Sequence, residues 1–442
     1  MTGKADAVIE RLMQLHPMGF DFTLDRIRDL LEKLGNPHLK LPPVIHVAGT
    51  NGKGSATAFS RALLEAGGFG VHVHTSPHLV NWHERYRLAS PNGSKFVSDD
   101  VLAEAVERVE RANGDSPITV FKIMTAVAFV LFSEHPADAV IMEVGLGGKL
   151  DATNVIVDPA VSLIMPVSID HQAFLGDSIE LIAAEKAGII KQDCPVVIGF
   201  QPFAAAREVL ISTAERLDCP LSIYGQDFLA YEEHGRMVFQ NERGLIDLPL
   251  PRLPGRHQLA NAAAAIEAVQ MAGFTITEKA IKKAMMVVDW PARMQRLTHG
   301  KLVDLAPAAS EIWLDGGHNP GAGLVIAEAL GELEERSTRP LFLITGMIKD
   351  KDPVGYFEAF AGLARHVFTV SIKSNDKTIP NTELAVSAQK AGLSAEPVHS
   401  VENALKILRD TWPHDEAPPR ILIGGSLYLA GEVLHDNGTP PV

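Results

Sequence analysis

The chain is predicted to fold as two α/β domains, a larger one with a mostly parallel sheet and a smaller one behind it. Three observations carry this prediction: a recurring strand-then-helix rhythm, strand runs that are apolar almost throughout, and a restart of the rhythm after about residue 297. The length of 442 residues fits two or three domains at roughly 150 residues each. With 46% apolar and 21% charged residues, the chain has the balance of a globular protein with a sizeable core.

Residues 44–48 read as a short strand followed by a glycine-rich turn. Ala56, Phe59, Leu63 and Ala66 then recur at near-helical spacing until Gly67 and Gly68 stop the helix. Residues 70–75 read as a second strand. Residues 139–144 and 160–165 are nearly continuous apolar runs, the mark of central parallel strands covered on both faces. Four further strands are expected at 311–315, 340–345, 366–370 and 420–424, with helical stretches between them. Residues 200–250 are mixed and carry no clear period, and residues 290–296 are the candidate hinge.

Composition excludes several classes of function. The net charge of −14 argues against a nucleic-acid surface, which needs a basic stripe. It leaves room for anionic small ligands, which one glycine-rich loop and a few cations can hold. Cys194 and Cys219 are too few for a disulfide framework, and the first residues lack a basic region followed by an apolar one. A reduced, cytoplasmic chain is therefore expected. No apolar run approaches the roughly 18 residues of a membrane span.

The turn formed by Gly49, Thr50, Asn51, Gly52, Lys53, Gly54 and Ser55 lies between an expected strand and an expected helix. Phosphate binding needs that context: glycines let backbone N–H groups converge on oxygens, the helix N-terminus adds positive potential, and Lys53 reaches the terminal phosphates. The pattern G-x-x-x-x-G-K-[ST] is met only in part, because Gly54 follows Lys53 and the hydroxyl shifts to Ser55. A bare strand-to-helix turn is the alternative, but three glycines and a lysine in seven residues are a poor way to build one.

Glu143 ends an apolar strand run, where open parallel sheets collect their ligands. A carboxylate there is costly to bury unless it holds a cation or is paired. Mg²⁺ bridging nucleotide phosphates is the economical reading, and an ion pair with a nearby Lys or Arg is the bland one. Asp170 and His171 follow the next apolar strand in the same way. Lys186, taken in isolation, reads as a solvated helix lysine.

Several motifs in order resemble one family, the folylpolyglutamate synthase/dihydrofolate synthase enzymes, relatives of the Mur ligases. They are residues 46–55, Thr75-Ser-Pro-His-Leu79 with Glu84-Arg-Tyr-Arg87, residues 143–154, Asp170-His171, residues 175–177 and 185–191, His257-Gln258 with Asn261, Trp290-Pro-Ala-Arg293, Asp315-Gly-Gly-His-Asn-Pro320 and Ser426-Leu-Tyr-Leu429. The resemblance implies an N-terminal P-loop ATPase domain carrying the folate site (1–296) and a smaller C-terminal Rossmann-like α/β glutamate-ligase domain (297–442). The implied activity is ATP-dependent addition of L-glutamate to dihydropteroate and to tetrahydrofolate through an acyl phosphate.

Position by position, the resemblance implies ATP contacts from residues 49–55, Asn261, Arg293 and Asp315, and Mg²⁺ ligation by Ser76, Glu143 and His171. It implies carbamylation of Lys186 and a catalytic part for Lys53, Lys186 and His318. Leu24, Asp25, Arg26, Thr119, Val120, Phe121, Lys122, Leu150, Asp151 and Ala152 match segments that line the dihydropteroate site. The implied partners are ATP, L-glutamate and the pteroate or folate acceptor, on a monomer; whether K⁺ is also used stays open. Three departures stand out: Lys122 where a glutamate is expected, Ala292 in place of glycine, and Lys149 in place of arginine, which loses the bidentate fork.

Two other readings compete with this one. A cell-wall amino-acid ligase of the same superfamily would carry a separate domain before the phosphate loop, and only 48 residues precede Gly49. A nucleotide-gated binding protein has no evident need for Glu143, His171 and Lys186 together with Asp315 and His318.

Overall fold

The structure is a computed structural model and describes residues 3–16, 23–413 and 415–442. Contacts divide the chain into two compact units. The first contains the described residues up to Ser168, then Gln172–Arg252 and Leu259–Val288; the second contains Ile169–His171, Leu253–Gln258 and Asp289–Val442. Two short segments thus join the second unit although they precede it in the chain.

The first unit is built on an eight-stranded sheet: β1 (Val44–Ala48), β2 (Val71–His74), β3 (Tyr86–Leu88), β4 (Lys95–Phe96), β5 (Ala139–Glu143), β6 (Val161–Ile164), β7 (Val196–Ile198) and β8 (Leu221–Ile223). Its order is β4-β3-β2-β5-β1-β6-β7-β8. The six strands from β2 to β8 run parallel, and β3 and β4 add an antiparallel edge. Every residue of β1 and β5 is buried, as the apolar runs require for strands covered on both faces. The helix Val120–Glu134 is buried on nearly all sides and centres a core that includes Ile27, Leu30 and Leu31 of the helix Asp25–Lys33. A helix apolar all round belongs inside.

Residues 200–250 contain the helix Ala204–Arg216, β8, and a separate antiparallel sheet of β9 (Leu229–Glu233), β10 (Arg236–Asn241) and β11 (Gly244–Pro249), in the order β11-β10-β9. The β9–β10 turn is His234-Gly235, both at positive φ. Two-residue hairpin turns need that geometry, but His-Gly is a weaker signal than Asn-Gly. Exposure of much of this sheet removes the apolar alternation that would otherwise announce strands.

The second unit has six strands: β12 (Gln295–Leu297), β13 (Glu311–Leu314), β14 (Leu341–Thr345), β15 (Ala364–Thr369), β16 (Ala395–Pro397) and β17 (Arg420–Gly424). Their order is β12-β13-β17-β14-β15-β16, parallel except for β12. The four expected strands are the interior ones; the two short edge strands carry too few apolar residues to be read from sequence. Arg420, only 1% exposed, is matched by Glu311 Oε2 at 2.9 Å, Glu334 Oε2 at 3.1 Å and the carbonyls of Leu333 and Ser337. Such pairing is what makes a buried charge tolerable. No helix among the described residues is long and apolar enough to cross a membrane.

Candidate active site

The sheet order sets the carboxyl ends of β2, β5, β1 and β6 side by side. From them emerge Ser76, Glu143, the loop from Gly49, and residues 165–168. Ligands collect at this edge of a parallel sheet.

The loop from Gly49 to Ser55 is clamped to the chain leaving β6. The backbone N–H groups of Thr50 and Asn51 donate to the Pro166 carbonyl at 2.8 and 3.2 Å. Thr50 Oγ1 donates to the Ser168 carbonyl and accepts from the Ser168 N–H, both at 3.1 Å. Asn51 Nδ2 donates to Ser168 Oγ at 3.1 Å. Gly49 has φ +150°, and a β-carbon on it would lie 2.7 Å from Met165 Cβ. Lys53 opens the helix Lys53–Ala66 and curls back so that Nζ donates to the carbonyls of Gly49 at 3.0 Å and Thr50 at 3.3 Å. Its ammonium therefore hangs over the loop, where a phosphate would lie.

Glu143, at the end of β5, is 5% exposed. Ser76 Oγ is buried and has no hydrogen-bond partner, which is costly unless something outside the protein supplies one. A buried carboxylate and an orphaned hydroxyl are hard oxygen donors of the kind Mg²⁺ takes. His171, the third expected ligand, belongs to the second unit.

Residues 145–154 fold into a knot around Asp151. Its carboxylate accepts from the N–H groups of Gly145 and Leu146 at 3.1 and 3.0 Å, and from Thr153 N and Oγ1 at 2.9 and 2.6 Å. Burial pushes its pKa up, and these four bonds oppose that. His46 Nε2 meets Thr153 Oγ1 at 2.9 Å. The knot packs on the end of the helix Ile179–Ala187: a β-carbon on Gly148 would sit 2.6 Å from the Glu185 carbonyl, and one on Gly188 would sit 2.4 Å from Lys149 Cα. Lys186 lies at this contact and is 4% exposed. The solvated-lysine reading is thus corrected: the packing of the knot takes Lys186 out of water.

The three segments expected to line an acceptor site converge on the helix Val120–Glu134. Thr119 caps that helix, accepting from Lys122 N at 3.4 Å. Phe121 lies so close to Gly145 that a β-carbon there would be 2.4 Å from its ring. Ala152 begins a turn (Ala152–Val155) that touches the same helix, as does Asp25–Lys33, which Asp25 and Arg26 open and Leu24 caps. Val120, Ala152 and Leu24 are buried in its core, Leu150 is half-buried, and Lys122 is only 2% exposed.

In the second unit Asp315 follows β13 and accepts from Met294 N at 2.8 Å and Gly317 N at 2.7 Å. Burial raises its pKa, and the Arg293 guanidinium opposes the rise. Ala292 and Met294, flanking Arg293, both have positive φ. His318 Nδ1 lies 2.9 Å from the Gly316 carbonyl. Asn319 caps the helix Pro320–Arg336 through Ala322 N at 2.8 Å. Asp170 meets this turn, with Nδ2 of Asn319 donating to it at 3.0 Å and Nε2 of His318 at 3.5 Å. Lys351 Nζ donates to Asp170 at 2.6 Å. Burial works against the Asp170 carboxylate, but His318, Lys351 and His171 outweigh it and hold its pKa well below the usual range.

Lys351 is the residue that sequence reasoning missed. Its signal was present: the charged run 349–352 follows β14 after three intervening residues, beyond the carboxyl end of a parallel strand. Among the described residues no three His, Cys, Asp or Glu side chains cluster as a metal site.

Residues 47–269 match the Mur ligase middle domain. The dihydrofolate synthase/folylpolyglutamate synthase of Haemophilus influenzae is 36% identical over 355 residues, 78% of each chain. The structure of Escherichia coli FolC in complex with DHPP and ADP superposes with a TM-score of 0.85 at 27% identity, covering 98% of this chain and 97% of that one. A bifunctional folylpolyglutamate synthase/dihydrofolate synthase with Mn, AMPPNP and L-glutamate bound gives a TM-score of 0.83 at 26% identity, covering 98% and 99%.

Proposed function

This chain belongs to the dihydrofolate synthase/folylpolyglutamate synthase family of Mur ligases, and from that premise we propose how its own residues carry the reaction. It is an ATP-dependent ligase with both activities of the family name, joining L-glutamate to dihydropteroate and to a reduced folate.

Amide formation from a carboxylate is uphill in water, so the acid must be activated. The acceptor carboxylate attacks the γ-phosphorus of ATP; the new C–O–P linkage forms as the bond to the β-phosphate oxygen breaks and ADP leaves. The glutamate amine then attacks the acyl carbon, and phosphate departs from the tetrahedral intermediate. Side chains do little covalent work in such a sequence, so positioning and electrostatics supply the rate.

Lys53 neutralises charge on the phosphoryl group in transit, and the N–H groups of residues 49–55 cradle the phosphates. Asn261, Arg293 and Asp315 contact the rest of the nucleotide. Ser76, Glu143 and His171 would hold Mg²⁺, which would supply positive charge to offset that of the phosphate oxygens. Lys186, as a neutral amine, takes up CO₂ and loses a proton to become an anionic carbamate. Its burial at the knot favours this, because it shields the product from exchange with water. His318, aided by Lys351, orients the acyl phosphate or the incoming glutamate. Residues 24–26, 119–122 and 150–152 receive the acceptor.

The observation that carries this reading is Lys53 folded over a glycine loop whose neighbouring strand ends present Glu143 and the orphaned Ser76 hydroxyl. Product analysis with ATP, Mg²⁺ and glutamate, offering dihydropteroate and a reduced folate separately, tests it. ADP should form only when acceptor and glutamate are both present; turnover with neither would favour a nucleotide-gated switch.

A further inference from the structure

We propose that Asp170 is a positioning residue of the second unit, whose single carboxylate holds the His318 imidazole, the Asn319 amide and the Lys351 ammonium in the arrangement that ligation uses. This rests on the reading that the Asp315–Asn319 turn serves the reaction.

The two oxygens of Asp170 divide the work. Oδ1 accepts from Lys351 Nζ at 2.6 Å and from the His171 N–H at 2.8 Å. Oδ2 accepts from Asn319 Nδ2 at 3.0 Å and faces His318 Nε2 at 3.5 Å. The partners come from separate places in the fold: the turn after β13, the loop after β14, and the segment Ile169–His171. The Asp170 carboxylate touches all of them.

Each partner is defined from its other side as well. His318 Nδ1 is engaged with the Gly316 carbonyl at 2.9 Å, so the ring cannot turn Nε2 away from Asp170 without giving up that bond. Asn319 Oδ1 accepts from Ala322 N at 2.8 Å, which settles which end of its amide faces Asp170. Lys351 also lies 3.2 Å from His171 Nε2, and its side chain is only 3% exposed, against 6% for Asp170. A long, flexible lysine thereby becomes a fixed cation. His171 itself sits at φ +53°, a left-handed conformation uncommon for a non-glycine residue, and its N–H is tied to the same carboxylate.

A carboxylate that merely braced the fold would matter for stability and leave the kinetics of one substrate no more affected than those of another. A positioning carboxylate acts through His318 and Lys351, so its loss must be selective and must depend on their presence. Misplacing such groups by about 1 Å costs up to about 100-fold in rate.

The test is initial-rate kinetics on the full chain with ATP, Mg²⁺, dihydropteroate and glutamate. Asp170→Asn keeps the shape and removes the charge; Asp170→Glu keeps the charge and shifts it by one methylene. Each should lower kcat/KM for glutamate by about tenfold or more while KM for ATP stays within about twofold. In a His318→Ala background, Asp170→Asn should cost less than it does in the otherwise unchanged chain, because one of the groups it positions is gone. Should Asp170→Asn fail to fold, Asp170→Glu carries the same comparison. Wild-type glutamate kinetics in a folded Asp170 variant whose His318→Ala counterpart is impaired would overturn the positioning role alone, as would a full additive loss in the double variant. Unchanged glutamate kinetics in His318→Ala would overturn the assignment of the turn itself.

Discussion

Gly52 and Asn261 approach so closely that a β-carbon on Gly52 would lie 2.9 Å from Asn261 Oδ1. The glycine caps the first long helix at φ +81°, and Asn261 belongs to the helix His257–Met271. The phosphate loop and a nucleotide-contacting position expected from sequence are thus one packed arrangement. Gly52→Ala meets the left-handed backbone cost of about 1–2 kcal/mol as well as the clash. It should raise KM for ATP by about tenfold or more, measured as initial rate against ATP concentration. An unchanged KM would mean that the loop does not hold the nucleotide.

Lys53→Ala should abolish ADP formation in the presence of dihydropteroate and glutamate while leaving the circular dichroism spectrum unaltered. Its ammonium donates to the carbonyls of Gly49 and Thr50, so the variant tests the charge held over the loop. Near wild-type ligase rates would contradict the phosphate-loop assignment.

For the metal, the decisive pair is Glu143→Gln and Ser76→Ala. Both should move the Mg²⁺ titration of activity to higher concentration, with Glu143→Gln the larger effect because it removes a charge. A superimposable titration for Glu143→Gln would make that carboxylate structural.

Ala292 departs from the glycine that its motif leads one to expect, and the structure supplies the reason glycine suits the position: φ is +54° and the residue is fully buried. Ala292→Gly relieves about 1–2 kcal/mol of backbone strain. It loses about 0.8 kcal/mol of methyl burial and 0.4–1 kcal/mol, roughly, through the greater freedom of the unfolded chain. The three nearly cancel, so urea unfolding should shift by less than about 1 kcal/mol. Ala292→Val places a β-branched residue at positive φ and should cost at least about 2 kcal/mol. Equal stability for both variants would show that backbone strain is not the governing effect there.

Burial, aided by Lys191 for His46 and by Arg85 for His74, lowers both histidine pKa values to about 3. Folded, these rings stay neutral, whereas unfolded they take up a proton near the ordinary value of 6.5. Their contribution to stability is therefore complete above about pH 6.5 and is lost as pH falls toward 3. From pH 7 to pH 5 each should cost about 2 kcal/mol. Urea midpoints measured across that range should fall, and His46→Gln should flatten the fall; identical slopes would rule out His46 as a contributor.

The interior of both sheets was legible because buried parallel strands write themselves as unbroken apolar runs. The edges β12 and β16 and the exposed hairpin sheet around His234 were not, since solvent-facing strands need no apolar pattern. Glycine and lysine chemistry made the loop at Gly49 readable. Lys351 escaped notice because a lysine in a charged run looks solvated until Asp170, 181 positions away, is seen to hold it. The burial of Lys186 was likewise hidden: it depends on Gly148 and Gly188 letting two backbones meet, a long-range contact with no local signature.

The central claim is that the acceptor acid passes through a mixed anhydride with the last phosphate of ATP. Dihydropteroate labelled with ¹⁸O in its carboxylate tests this most directly, by mass analysis of the phosphate released over single and multiple turnovers. One labelled oxygen should appear in inorganic phosphate for each amide formed. Unlabelled phosphate, or label recovered in AMP, would contradict the account.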